Sequence, residues 1–163
     1  MKILSFICLL LLTSIGFSQK LKFKVAGQKD TTVHLVKYVG KGMYYADTAE
    51  MKNGMVEFNG AKQVPGILGL LLPGQKFFEF IYNNEEVQLE TSLPDFAGNM
   101  KVKKSEENKI FIPYVKYISA KKGEANKLAE QRAKLKDTDA EYKSFSTTID
   151  ALNKEVDDYQ KNI

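Results

Sequence analysis

Residues 65–90 read PGILGLLLPGQKFFEFIYNNEEVQLE. Two Pro-Gly pairs, Pro65-Gly66 and Pro73-Gly74, bracket the apolar run Ile67–Leu72. The aromatic-rich segment from Phe77 to Tyr82 follows, then Asn83-Asn84, then the alternating Val87-Gln88-Leu89-Glu90. Short apolar segments separated by turn formers are the pattern of an all-β sandwich or barrel. The run Ile67–Leu72 predicts a strand buried on both faces. Asn83-Asn84 predicts a hairpin between its flanking segments. Phe77, Phe78, Phe80 and Tyr82 read first as core, with a face for an apolar partner as the sharper alternative.

The same pattern extends upstream. Leu21–Val25 alternates strictly, an apolar run spans Val33–Val39, and Met43–Thr48 forms a third segment. Asn53-Gly54 marks a tight turn, since both residues accept the positive φ of a type I′ hairpin, and Met55–Phe58 returns from it. Met100–Val102 supplies a last short strand, for about eight in all. His34 reads as an ordinary strand residue.

The composition changes near residue 104, which divides the chain into a β-sandwich over 19–104 and a helical segment over 105–163. Nine of the glycines lie in the first part and one, Gly123, in the second. Ser105 followed by Glu106 and Glu107 predicts a helix start, a capping hydroxyl followed by acids at the positive end of the helix dipole. Pro113 predicts a kink, and Gly123 predicts a break. A further helix is expected from about Asp139. Its apolar residues Tyr142, Phe145, Ile149, Leu152, Val156, Tyr159 and Ile163 repeat every three and four positions, a heptad stripe. The flanking positions are mostly uncharged, which favours packing on the chain's own helices or on a following domain over a self-associating coil. The expected class is therefore α+β: an antiparallel β-sandwich followed by a helical hairpin or coiled-coil-like segment.

The N-terminus has the three parts of a secretory signal. Lys2 supplies charge, Ile3–Leu12 is apolar apart from Ser5, and Gly16-Phe17-Ser18 is a small-x-small cleavage site. Residues 1–18 are thus expected to be removed, and the protein to act in the periplasm or at the cell envelope. The apolar stretch is short of the roughly 20 residues needed to span a bilayer, so stable membrane insertion is not expected. Cys8, the one cysteine, lies in the removed part. Without Lys2, 23 of the 24 basic residues face 20 acids, a net charge of +3 that is too mild and dispersed to suggest nucleic acid.

The residue inventory excludes several chemistries. A redox dithiol needs two cysteines. A zinc site needs three or four Cys, His or carboxylate ligands, and there is a single histidine. Serine hydrolysis needs a base beside the nucleophile, and no G-x-S-x-G elbow occurs. Gly40-Lys41-Gly42 lacks the spacing of a phosphate loop. Glu85-Glu86 and Asp157-Asp158 read as solvated surface rather than as glycosidase acids. No catalytic, cofactor or metal site is expected.

An ordered set of motifs remains: Leu35–Tyr38, Tyr45-Ala46-Asp47-Thr48, Gly54-x-x-x-Phe58-x-Gly60, Pro65-Gly66, and Ser105-x-Glu107-Asn108-x-x-Phe111-x-x-Tyr114. This set resembles the N-terminal half of exported thioredoxin-like proteins of Bacteroidota, of the TlpA and peroxiredoxin-like type. There a β-sandwich domain of unknown function and a helical segment precede a thioredoxin domain with its Cys-x-x-Cys. The resemblance implies structural roles for the matched residues. Asp47-Thr48 would end a strand, Gly54, Gly60 and Gly66 would make turns, Phe58 would pack in the core, and Ser105 and Asn108 would open the helix. The chain stops where the thioredoxin domain would begin, so a partial chain or a standalone relative without the enzyme domain is expected. The functional expectation is a non-catalytic accessory module of a periplasmic thiol–disulfide system. Its partner would be a protein or the missing thioredoxin-like domain, with weak self-association through the C-terminal helix as a further option. The alternative is a standalone exported binding or scaffold protein.

Overall fold

The computed structural model describes residues 19–162, so the signal-peptide reading of residues 1–18 and the last heptad residue, Ile163, lie outside the described residues. Eight strands and three helices follow in order: β1 (Lys20–Ala26), β2 (Thr31–Val39), β3 (Gly42–Met51), β4 (Met55–Asn59), β5 (Gly66–Leu72), β6 (Lys76–Tyr82), β7 (Val87–Ser92), α1 (Phe96–Asn99), β8 (Lys101–Lys104), α2 (Glu106–Arg132) and α3 (Ala140–Lys161). The strands form two four-stranded sheets, β4-β1-β7-β8 and β3-β2-β5-β6. The fold is α+β, a sandwich rather than a closed barrel, with a helical hairpin after it.

Alternation along each strand explains the two layers. Leu21, Phe23 and Val25 of β1 point inward and are at most 2% exposed, as are Val33 and Leu35 of β2. Leu70, Phe80 and Tyr82 meet them from β5 and β6. Phe23 sits at the centre, its ring 4.9 Å from that of Phe80 and 5.9 Å from that of Phe78. Burying a side chain of this size stabilises by about 1.5–3 kcal/mol, so these residues carry the core without a disulfide.

The structure corrects the expected sheet pairing in two places. The β4-β1-β7-β8 sheet is mixed, because β1 runs parallel to β7, with Leu21 opposite Val87 and Ala26 opposite Ser92, whereas β3-β2-β5-β6 is antiparallel throughout. Asn83-Asn84 does not close a hairpin: β6 and β7 belong to different sheets. Asn84 has the positive φ of a turn, 55°, but the chain uses it to cross the sandwich. Asn53-Gly54 is the tight turn expected, with φ values of 51° and 71° and a pair of hydrogen bonds between Lys52 and Met55, each 2.9 Å. Beyond that single pair the strands diverge, β3 into one sheet and β4 into the other.

Two strand details also differ. Asp47-Thr48 does not end β3, which continues to Met51. A β-bulge lies there instead: Leu35 faces Asp47 while Val36 faces Tyr45, leaving Ala46 as the extra residue. β5 is not buried on both faces. Leu68, Leu70 and Leu72 are buried, but Ile67 is 47% exposed and Leu71 half-buried. The helices pack along β6 and β8, at the side of the sandwich, and leave the outer face of β5 uncovered.

In the helical part, α2 runs unbroken through Pro113 and Gly123, which corrects the expected break. A glycine costs a helix interior only about 1 kcal/mol relative to alanine. The packing of Ala125, Leu128 and Ala129 against Ile149 and Leu152 of α3 needs the helix to continue. The apolar stripe of α3 is used in this contact. Val156 is buried as well, Tyr159 stacks on Tyr114 at 5.9 Å and meets Tyr117 at a tilt at 4.2 Å, and Tyr142 lies under the Arg132 guanidinium at 5.5 Å. Phe145 is half-buried.

The composition change at residue 104 is not a break in packing. Ile112 is buried in the sandwich core and Phe111 packs against it. Asn108, fully buried, accepts from the Ile81 N–H at 2.9 Å and donates to the Ile81 carbonyl at 2.7 Å. Its amide thus pairs with the edge of β6 as a neighbouring strand would. Ser105 caps α2: its hydroxyl accepts from the Asn108 backbone N–H at 3.0 Å and donates to Glu85. Ser105 has φ +146°, rare for a residue with a side chain, and these bonds hold it there.

Glu85 ties the β6–β7 crossing to the start of α2. Burial pushes its pKa up, but the Ser105 hydroxyl, the Glu106 and Glu107 N–H groups and Lys109 outweigh this and hold it below the usual carboxylate range. A lowered native pKa contributes stability above the unfolded value, and that stability is lost as pH falls through the native pKa. Urea midpoints should therefore drop on acidification through and below the ordinary Glu range. Glu85→Gln should be less stable than wild type at neutral pH and should lose less on acidification. Parallel pH profiles for the two proteins would contradict this.

Candidate binding face

The two outer sheet faces differ in chemistry. On β4-β1-β7-β8 the outward positions are mainly ionic. Lys20 pairs with Glu57 at 2.8 Å, Lys22 and Lys104 with Glu86 at 3.2 and 2.7 Å, and Lys103 with Glu90 at 3.4 Å. Such exposed pairs contribute little energy, and they keep a solvated face solvated.

On β3-β2-β5-β6 most outward positions are apolar or aromatic, with Thr32 donating to Glu50 at 2.6 Å toward one end of the face. Register sets them in rows across the strands. One row holds Thr48, His34, Leu71 and Phe77; the next holds Tyr45, Val36, Gly69 and Glu79; beyond it Met43 with Tyr38, and Ile67 with Ile81, continue as two separate pairs, because β2 and β5 part after Lys37 and Leu68. Gly69 is required by its neighbour, since a Cβ there would lie 2.9 Å from the Val36 side chain. Val36 fills that space and is buried, although it points away from the core. The result is a shallow surface with Tyr45, Phe77 and Ile67 standing above Val36.

The polar groups on this face are few and occupied. His34 Nδ1 lies 2.9 Å from the Thr48 hydroxyl, and its ring stacks on Tyr45 at 4.5 Å. The Tyr38 hydroxyl donates to Glu79. Partial burial, then that hydrogen bond and the Glu79 charge, push the Tyr38 pKa up to about 12, so the phenol stays protonated at neutral pH. His34 has no carboxylate among its hydrogen-bond partners in the described residues, and a histidine–hydroxyl pair without an orienting acid or an oxyanion hole lacks most of a hydrolytic triad. Among the described residues no group of three potential metal ligands converges. Arranged this way, the face can bury apolar surface and exchange a few hydrogen bonds.

The motif residues singled out in the sequence do not converge on one site. Thr48 lies on this face, with Asp47 beside it at the bulge. Gly54 forms the β3–β4 turn, Phe58 is core, and Gly60 sits in the 3-10 turn after β4. Pro65 and Gly66 are exposed where β5 begins. Ser105, Glu107, Asn108, Phe111 and Tyr114 occupy the first turns of α2, where Glu107 accepts from the Asn83 amide at 2.9 Å. Sequence reasoning missed most of this apolar face. It placed Phe77 in an apolar segment but could not separate it from Phe78 and Phe80, which are buried. The available signal was the offset of one residue within that segment, together with Tyr45 opposite Val36.

No curated protein matches the chain. A family model described as a domain of unknown function, DUF4369, matches residues 19–111. The match begins at the residue before β1 and ends at Phe111, where α2 packs on the sandwich. It covers more than half of the chain, which therefore belongs to the DUF4369 family.

Proposed function

We propose that this protein is a non-catalytic binding module of the cell envelope, accessory to an exported thiol–disulfide system, and that it holds its partner on the outer face of β3-β2-β5-β6. The single observation carrying this reading is the contrast between the two outer faces of one sandwich. A sheet face with no partner is kept polar, as β4-β1-β7-β8 is, whereas an uncovered apolar face marks an interaction surface. The thioredoxin-like partner is supported by the ordered motifs from Leu35 to Tyr114. Export with cleavage near Ser18 is supported by the charge, apolar and small-residue pattern of residues 1–18.

Two measurements test the proposal. The purified protein should give no turnover in an insulin-reduction assay, and any sustained turnover removes the non-catalytic reading. A Cys-x-x-Cys thioredoxin-like domain from the same genome, added as a separate protein, should perturb the NMR signals of His34, Tyr45, Leu71 and Phe77. Phe77→Glu should weaken that binding at least about tenfold, the loss typical of an interface hot spot. Perturbations confined to the ionic face would overturn the assignment.

A further inference from the structure

We propose that one end of the β3-β2-β5-β6 sheet, formed by the β2–β3 hairpin tip and by Val64–Ile67, where the chain enters β5, docks on an anionic lipid surface. This goes beyond the protein-binding role of the sheet face and does not depend on it. The geometry comes from where strand pairing stops. β2 pairs with β5 only as far as Lys37 opposite Leu68, whereas β2 and β3 stay paired to Val39 opposite Gly42. The hairpin tip therefore stands clear of the sheet. A cleft of about 500 Å³ separates it from the start of β5, lined by Tyr38, Val39, Val64, Pro65 and Ile67.

The exposed apolar side chains of the molecule concentrate here. Val64 is 68% exposed, Val39 57% and Tyr44 56%, and Met43 and Ile67 stand beside them. They stand on the two lips of an open cleft rather than in an enclosed pocket. Side chains so placed bury little area against another rigid surface, but they can all enter a soft interface. Tyrosine suits the boundary between headgroups and acyl chains, where its ring is apolar and its hydroxyl wet.

Charge supplies the second argument. Segments 37–45 and 60–67 contain Lys37, Lys41 and Lys62 and no acid. On the ionic sheet face Lys20, Lys22, Lys103 and Lys104 pair with glutamates, whereas Lys24 and Lys101 there do not; Lys37, Lys41 and Lys62 likewise have no carboxylate partner among the described residues, and here no acid lies in the same two segments. Several acids border this end: Glu79 accepts from the Tyr38 hydroxyl, Asp47 accepts from the Thr48 N–H at 2.8 Å, and in the crossing after Tyr82 Glu85 accepts from Ser105 while Glu86 pairs with Lys22 and Lys104. A basic rim around an apolar tip complements phosphate headgroups over acyl chains. The chain also enters the domain at this end, since the Gly60 N–H donates to the Gln19 carbonyl at 2.6 Å.

Vesicle co-sedimentation tests the proposal, using the exported protein with vesicles of phosphatidylglycerol and phosphatidylcholine, and with phosphatidylcholine alone. Binding should require phosphatidylglycerol and weaken with added salt. Lys41→Gln and Lys62→Gln should each lower the partition coefficient roughly fivefold at low salt. Val39→Asp combined with Val64→Asp should abolish binding while leaving the thermal melt unchanged, because both positions are exposed. Phe77→Glu should bind vesicles like wild type, which separates this site from the protein-binding face. The proposal is overturned if wild type does not sediment with phosphatidylglycerol, if phosphatidylcholine alone binds as well, or if the double variant keeps its binding. It is equally overturned if light scattering shows the tip buried in a dimer that the double variant dissociates.

Discussion

Asn108→Ala should destabilise the protein by about 3 kcal/mol, seen as a lower urea midpoint with an unchanged slope. Asn108 is fully buried, and its amide satisfies both the N–H and the carbonyl of Ile81 at the edge of β6. It also donates to the Ser105 hydroxyl at 2.7 Å. Alanine removes all three bonds at once and leaves two backbone groups without partners. An unsatisfied buried polar group costs about 1–3 kcal/mol, whereas alanine's better helix propensity returns only about half a kcal/mol. Asn108→Asp keeps the acceptor toward the Ile81 N–H but turns a carboxylate toward the Ile81 carbonyl. It should be as damaging at neutral pH and recover partly in acid, where the protonated carboxyl can donate. A loss below about 1 kcal/mol for Asn108→Ala would show that water replaces the amide and that the β6 edge does not depend on it.

The second large effect is expected at Gly54. Its φ is +71°, and a Cβ there would lie 2.6 Å from the Val25 carbonyl oxygen. The Gly54 carbonyl accepts from the Val25 N–H at 2.7 Å, which fixes the turn against the central strand β1. Gly54→Ala meets two penalties: about 1–2 kcal/mol for the left-handed conformation and a backbone clash that neither chain can avoid without breaking that bond. We expect a loss of about 3 kcal/mol in urea denaturation, at the upper range for a strained backbone position. Asn53→Gly is the control. Asn53 has φ 51° and is exposed, so glycine there should change stability by no more than a few tenths. Similar behaviour of the two variants would mean that the turn opens at little cost.

What the sequence could reveal follows from what periodicity encodes. Alternation in Leu21–Val25 and Val87–Glu90 marked strands and their inward sides, because burial on one face imposes that pattern. It carries no information about which strand is the neighbour. Asn83-Asn84 therefore looked like a hairpin turn, when β7 in fact pairs with β1 and Glu85 anchors the crossing to α2. The heptad of α3 was legible because its partner is close in sequence, and α3 packs on α2 in the same chain. Gly123 misled because helix propensity is weaker than the packing of Ala125 against Ile149 and Leu152. The apolar outer face stayed hidden for a related reason. Leu35 and Val36 look alike in the sequence, and both are buried, but one fills the core and the other covers Gly69 on the outside. Asn108 was recognised as a residue that opens the helix, yet nothing in its neighbours announces a bond to Ile81, 27 residues away.

The parallel pairing of β1 with β7 bears on the order in which the molecule is assembled. β1 occupies an interior place in its sheet, between β4 and β7, yet its partner Val87 lies far along the chain from Leu21. The β2–β3 and β5–β6 hairpins close small loops and can form early, whereas the contact between β1 and β7 closes a long one. A chain threaded across a membrane from its N-terminus would present β1 first and its parallel neighbour much later. Until β7 emerges, β1 can pair only with β4, with one edge open and its apolar side chains short of their full cover. The first strand to arrive is thus the one that waits longest for its full cover, and the exposure of an unpaired apolar strand is a cost of assembly that the finished shape does not reveal.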